Sequence, residues 1–207
     1  MTTAPVVPAT GRSRGRVEAK VLRAALEAIA ELGPDRVRIK DIADHAGMSS
    51  GHVMYYFGDR DQILVRTLLL SEHALGERRD RELARAADVH RAIDVFNRLY
   101  LPTGQRDVRW SLWAQVIARP PTDLRVRREL RVAVDEWADA LAALMTAAVD
   151  AGALPVIDAS TVATRHCRFM DGLALEVLLG APGRARGWAM AEASAAWCDA
   201  VGLNDRH

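Results

Sequence analysis

Cysteine is scarce in this chain of 207 residues: Cys167 and Cys198 lie far apart and form no CxxC pair. With no charged-then-apolar export signal at the N-terminus, both are expected to stay reduced in a cytoplasm. Lysine is scarcer still relative to its usual share. Lys20 and Lys40 are the only two, so arginine carries nearly all the positive charge and any single arginine is a weaker sign of a specific contact. The net charge of +1 gives no argument for a polyanionic partner, although a nucleic-acid reader needs only a basic face. No apolar run is long enough to span a bilayer, so no membrane partner is expected. HExxH, GxSxG, a Walker loop and paired Glu-x-x-His are all missing. An enzyme is therefore unsupported, and no catalytic residue, metal ligand or cofactor is assigned. No segment keeps period-two alternation, which argues against a sheet, and no solenoid repeat occurs.

What remains is helix. Half the residues are apolar, enough for a core. Leu22, Leu26, Ile29 and Leu32 form a helical stripe over 17–32, closed by Gly33-Pro34. Asp59 is placed to N-cap a helix running towards Arg81, with Gln62 at the capping-box position. Further helices are expected over 88–100, 106–118, 122–151, 159–179 and 184–201, separated by proline and glycine breaks. The resulting all-α fold has about nine helices. Residues 1–12 contain two prolines and no period and are expected to be a disordered basic arm. The cluster Arg12 to Arg16 at its end is either a solvated tail or an arm that adds phosphate contacts.

The most informative stretch is RIKDIADHAGMSSGHVMYYFGDRDQI, residues 38–63. Ile39, Ile42 and Ala43 give a short helix an apolar face, and Ala46-Gly47 ends it. Ser49 or Ser50 can cap a second short helix with Val53, Met54 and Phe57 inward. Two helices joined by so tight a glycine turn match the helix-turn-helix, whose second helix enters the DNA major groove. That geometry also occurs in proteins that touch no DNA. The outward set Ser50, His52, Tyr55 and Tyr56 favours the DNA reader.

These residues resemble the DNA-binding region of the TetR family of one-component transcriptional regulators. The shared positions are Ala46-Gly47, Ser49, Gly51, Val53, Tyr55, Tyr56, Phe57 and Arg60, within about residues 15–65. Arg38 stands where the family commonly has Thr, and Met54 where it commonly has Tyr. The resemblance implies base-edge contacts from Lys40, Ser50, Gly51, His52 and Tyr55, and phosphate contacts from Arg38, Ser49, Tyr56 and Arg60. It also implies a helix-turn-helix DNA-binding domain over 13–60 and an effector-binding and dimerisation domain over 61–207. Function would then be that of a repressor, binding a palindromic operator as a homodimer and released by a small-molecule effector. The alternative is an all-helical binding protein or enzyme without DNA contact.

Trp110-x-x-Trp113 and Met170-Asp171-Gly172-Leu173 are similar to the C-terminal region of the choline-responsive, BetI-like branch. The effector pocket implied by this architecture has Phe96, Tyr100, Trp110, Trp113, Trp137, Met170 and Asp171 as candidate lining. For any single ring, ordinary core is the better reading. Asp171 in an apolar stretch needs a partner, either Arg165 or Arg168 on its own helix or a ligand cation held against π-faces. The last two helices are apolar and rich in small residues, which suits a two-fold interface of four helices.

Overall fold

The computed structural model of the chain describes residues 11–202, with side chains from residue 14 onward. Most of the expected arm lies outside the described residues, but Gly11 and Arg12 fall inside the first helix. The described residues form nine helices: α1 Gly11–Leu32, α2 Ile39–Ala46, α3 Ser50–Phe57, α4 Arg60–Leu83, α5 Val89–Tyr100, α6 Val108–Ala118, α7 Leu124–Asp150, α8 Ala159–Leu179 and α9 Arg186–Ala200. Among the described residues there is no strand.

Aspartates cap the starts of α5, α6, α7 and α8, while α9 starts after Ala185 with no side-chain cap. Asp88, Asp107, Asp123 and Asp158 each accept a backbone N–H one turn ahead, as Asp59 does for α4. Because those carboxylates stay outside as caps, α5, α6 and α7 begin one or two residues later than the apolar periodicity suggests. At α2 the capping position is Arg38, which has no hydroxyl to offer. Asp41 supplies the reciprocal bond instead, its carboxylate accepting the Arg38 N–H at 2.8 Å. Gly47 ends α2 with φ +59°, and the Met48 N–H closes on the Ala43 carbonyl at 2.9 Å.

The helices enclose two apolar clusters. The first joins Val21, Ala25 and Ile29 of α1 to Ile42, Val53, Ile63, Leu64 and Leu68, and is completed by Leu112, Val116, Val126 and Leu130 from α6 and α7. The head's core thus continues past residue 60 into α4. The buried face of α1 is Val21, Ala24, Ala25, Ala28 and Ile29, not the expected leucine stripe. Leu22 and Leu26 are half-buried and Leu32 is exposed. Alanine on that face lets α2 approach closely, which a leucine face would prevent. Met54 is likewise outward rather than inward; on α3 only Val53 is fully buried, with Phe57 half-buried. An eight-residue helix offers one narrow buried stripe, and Val53 fills it.

The second cluster holds α5, α7, α8 and α9 together around Phe96, Trp137, Leu141, Met145, Met170 and Trp197. Inside it, His166 Nε2 meets Asn97 Oδ1 at 2.9 Å. Burial disfavours the imidazolium and pushes this histidine from 6.5 down to about 4. The folded state therefore resists a proton that the unfolded chain accepts. Stability from this site is full above pH 6.5 and is lost as pH falls towards 4. The difference amounts to about 3 kcal/mol. His166→Gln, which stays neutral and can still donate to Asn97, is expected to flatten that segment of the pH–stability curve. Urea unfolding at pH 7, 6, 5 and 4.5 checks this; parallel curves for parent and variant would refute it.

Candidate functional site

The turn between α2 and α3 places α3 on the outside of the head. Ser50, Gly51, His52 and Tyr55 are exposed, Tyr55 at 62 %, and Tyr56 is half-buried. The rings form a linked set: His52 and Tyr56 have centroids 5.3 Å apart, and Tyr55 meets Tyr56 edge-on at 5.4 Å. Ser49 is the cap, its hydroxyl accepting the His52 N–H at 3.2 Å. A Cβ built on Gly51 would meet nothing within 4 Å, so the protein's own packing gives no reason for glycine there.

Other expected contacts sit around this face. Lys40 is exposed and pairs with Asp44 at 2.9 Å, and Arg38 is exposed. Arg60 differs: its Nε donates to the Val37 carbonyl at 2.8 Å, a second nitrogen donates to the Pro34 carbonyl, and Asp61 lies at 3.4 Å. Its guanidinium stitches the start of α4 to the loop before α2. Arg14 joins the face unannounced, with its guanidinium 5.7 Å from the Tyr56 ring centroid and its Nε bonded to Glu18 at 2.9 Å. The signal for it was the cluster from Arg12 to Arg16, assigned to an arm because α1 was expected to begin later.

The expected pocket residues divide. Phe96, Tyr100, Trp110 and Trp137 are contiguous, with centroid separations between 5.0 and 6.0 Å. Met170 is fully buried in the same cluster. Trp113 instead packs against the head cluster. Asp171 is partnered by neither Arg165 nor Arg168; the Tyr100 hydroxyl donates to it at 2.7 Å. Arg165 and Arg168 are exposed and make no hydrogen bond to Asp171, Arg168 favouring its charged form only through its own charge, while Tyr100 reaches Asp171 from α5. Burial raises the Asp171 carboxyl above its usual range, opposed by that hydrogen bond. Desolvation also raises the Tyr100 phenol, and it takes the Cys167 thiol to about 12, so neither ionises near neutrality.

At the centre is a residue that sequence reasoning missed. Glu72 of α4 is buried, and its two oxygens accept from three side chains. Trp113 Nε1 lies 2.6 Å from Oε1, Arg109 Nη1 3.3 Å from the same oxygen, and Trp137 Nε1 3.1 Å from Oε2. Arg109 also donates to the Tyr100 carbonyl, and its guanidinium lies 5.0 Å from the Trp110 ring centroid and 5.6 Å from that of Trp137. Arg79 lies 5.0 Å from Trp137 as well. These rings are closed upon one another. An open cleft of about 680 Å³ lies elsewhere, between the α5–α6 and α8–α9 loops, and touches none of the seven expected residues.

Removing the Glu72 charge tests how much rests on it. Glu72→Leu strands a guanidinium and two indole N–H groups in the interior, and is expected to cost about 3–5 kcal/mol of unfolding free energy. Glu72→Gln, which keeps an acceptor, should lose less. Equilibrium urea denaturation reads both, and a parent-like midpoint for the leucine variant would contradict the assignment.

Comparison with known proteins finds a family match in each of two parts of the chain. Residues 21–67 match the bacterial regulatory proteins of the tetR family, and residues 89–200 match the C-terminal region of BetI-type transcriptional repressors. An HTH-type transcriptional repressor of Mycobacterium tuberculosis is 33% identical over 147 residues, covering 64% of this chain and 76% of that protein. Among solved structures, a transcriptional regulator from Saccharomonospora viridis in complex with choline superposes with a TM-score of 0.76. It is 27% identical, over 89% of this chain and 96% of the other. The regulator FadR from Bacillus subtilis, in complex with stearoyl-CoA, shares the fold at a TM-score of 0.67 with 17% identity, over 89% of this chain and 98% of that one.

Proposed function

The chain belongs to the tetR family of bacterial regulatory proteins and carries a BetI-type C-terminal region, and from this premise we propose that it is a cytoplasmic repressor that binds a palindromic operator as a homodimer. Residues 13–60 are assigned to DNA binding, and residues 61–207 to effector binding and dimerisation. One observation carries the reading: Gly51 stands on an exposed helix with free space in front of it, flanked by His52 and Tyr55. Glycine there is accounted for by a surface that approaches from outside. Ser50, His52, Tyr55 and Lys40 are assigned to base edges, with Gly51 admitting the backbone. Arg38, Ser49 and Tyr56 are assigned to phosphates, joined by Arg14. Arg60, engaged with two loop carbonyls through Nε and Nη2, keeps Nη1, now 3.4 Å from Asp61, for a phosphate; its first role is to fix the α4 start against the head.

Gly51→Ala is expected to leave unfolding free energy unchanged or raised by up to about 1 kcal/mol, since alanine is the better helix former. Operator binding should nevertheless fall at least about ten-fold. Tyr55→Ala should both weaken binding and relax sequence preference by about 1–3 kcal/mol at one base pair. Fluorescence anisotropy with DNA from upstream of the chain's own gene, titrated against salt, reads both. Unaltered affinity in both variants would remove the α3 assignment. Salt-insensitive or absent binding by the parent would favour a helical binding protein without DNA contact.

For the dimer, α8 offers Phe169, Gly172, Leu175 and Leu179, all exposed and spaced by three or four, with Leu175 at 57 % and Leu179 at 74 %. Beside it α9 exposes Ala191 and Ala195. Small residues between large ones allow two such pairs to pack as four helices. Leu175→Arg is expected to give a folded monomer that no longer retains operator. Sedimentation equilibrium distinguishes the states, and an undisturbed dimer would refute this interface.

The effector is assigned to the core bounded by Tyr100, Trp110 and Trp137 with the carboxylates Glu72 and Asp171. Tryptophan faces with the buried carboxylate of Glu72 and the more exposed one of Asp171 suit a small cation, the class to which the choline held by the Saccharomonospora viridis regulator belongs. Effector binding and operator binding then weaken each other by one common factor.

A further inference from the structure

The aromatic core has no vacancy for a ligand because one of the protein's own side chains fills it. Arg109 enters from α6, places its guanidinium against Trp110 and Trp137, and makes an ion pair with Glu72 at 3.3 Å. A cation over two ring faces beside one buried carboxylate is the set of contacts that a small ammonium ligand would need. Building on the reading above, we propose that Arg109 is a tethered competitor for the effector site, and that an ammonium effector binds by displacing it from Glu72.

Three features support displacement of this group. Its contact with Glu72 is the longest of the three that the carboxylate makes, against 2.6 Å for Trp113 and 3.1 Å for Trp137. Glu72 therefore keeps two indole donors when the arginine leaves, and an incoming cation meets a carboxylate already oriented. The second guanidinium on Trp137, that of Arg79, belongs to α4 itself and is held by its neighbour Asp80 at 2.9 Å. Of the two, Arg109 also makes an ion pair between helices, joining α6 to Glu72 of α4. Its departure cuts a tie between α6 and α4, and α4 starts at the head.

A side chain tied to the site lowers apparent ligand affinity by the fraction of time it occupies the site. Removing it should raise affinity for a cation specifically. Calorimetric titration with tetramethylammonium chloride, and with tert-butanol as an uncharged match, is to be run on the parent, Arg109→Ala and the double variant Arg109→Ala with Glu72→Gln. Arg109→Gln stands in if the alanine variant fails to melt cooperatively. Tetramethylammonium should bind the single variant at least about ten-fold tighter than the parent, and the double variant should lose the gain. Tert-butanol should not discriminate charge-bearing from charge-free sites. Equal or weaker ammonium binding by the arginine variants, including none by any protein, overturns the proposal, as does a gain that survives in the double variant. Operator anisotropy on the same ligand-free parent scores the regulator reading separately. Retained DNA binding without the ammonium gain refutes only the competitor, and an ammonium gain without DNA binding refutes only the regulator.

Discussion

A single buried carboxylate fixes how the helices of this protein can be arranged. Glu72 is buried on a helix that packs against α1, α3, α5, α6 and α7, and its charge must be met from whichever elements pack there. The donors come from α6 and α7: an arginine and a tryptophan from the former, a tryptophan from the latter. A hydrophobic residue at 72 would let these helices slide over a range of registers, because dispersion and burial have little directionality. Three hydrogen bonds on two oxygens leave far less freedom. Substituting the carboxylate by packing alone could match its stability but not its geometry.

The helix that bears this residue is shared between two cores. Its first turns, with Ile63, Leu64 and Leu68, belong to the cluster that holds α1, α2 and α3. Its later turns pass the aromatic cluster, where Leu75 and Leu83 pack. Arg60 closes the helix's N-terminal end by bonding to carbonyls of the loop before α2, which ties the start of α4 to the head. Under the proposed function, a rotation of α4 about Glu72 would reach the head through this tie. On the reading given above, this is how a change among the rings alters the spacing of two α3 helices in a dimer.

Much of this was legible in the chain, and the failures are of a few physical kinds. Elements whose cause is local were readable: Gly47 ends α2 through its own backbone freedom, and Asp59 caps α4 through its own side chain. The outward set on α3 followed from the short span between the glycine turn and Phe57. Burial faces were read less well where packing partners decide. Alanines rather than leucines face inward on α1 because α2 lies so close, and Met54 faces solvent because Val53 takes the single interior position. Pairings between distant residues were not readable at all. Nothing near position 72 announces an indole 41 residues away and another 65 residues away, and nothing near Asp171 announces Tyr100. Arginine abundance hid Arg109 among many equals, whereas the Arg12 to Arg16 cluster had marked out Arg14.

That limit also separates what family membership settles from what only the interior does. One protein that shares this fold is in complex with choline and another with stearoyl-CoA, so the frame itself selects no ligand. Selection falls to the charges buried inside it. An acyl chain needs a long apolar channel, and this core instead spends its interior on Glu72, two guanidinium groups and indole N–H donors, each of which would lose its partners beside a hydrocarbon. A cation can exchange with a cation here without leaving Glu72 unpaired. A neutral ligand that displaced Arg109 would leave that carboxylate with two neutral donors and no counter-charge. On the competitor proposal, the chemistry of admission is set by what the core already contains, and the residue that closes it also specifies the charge of the ligand that displaces it.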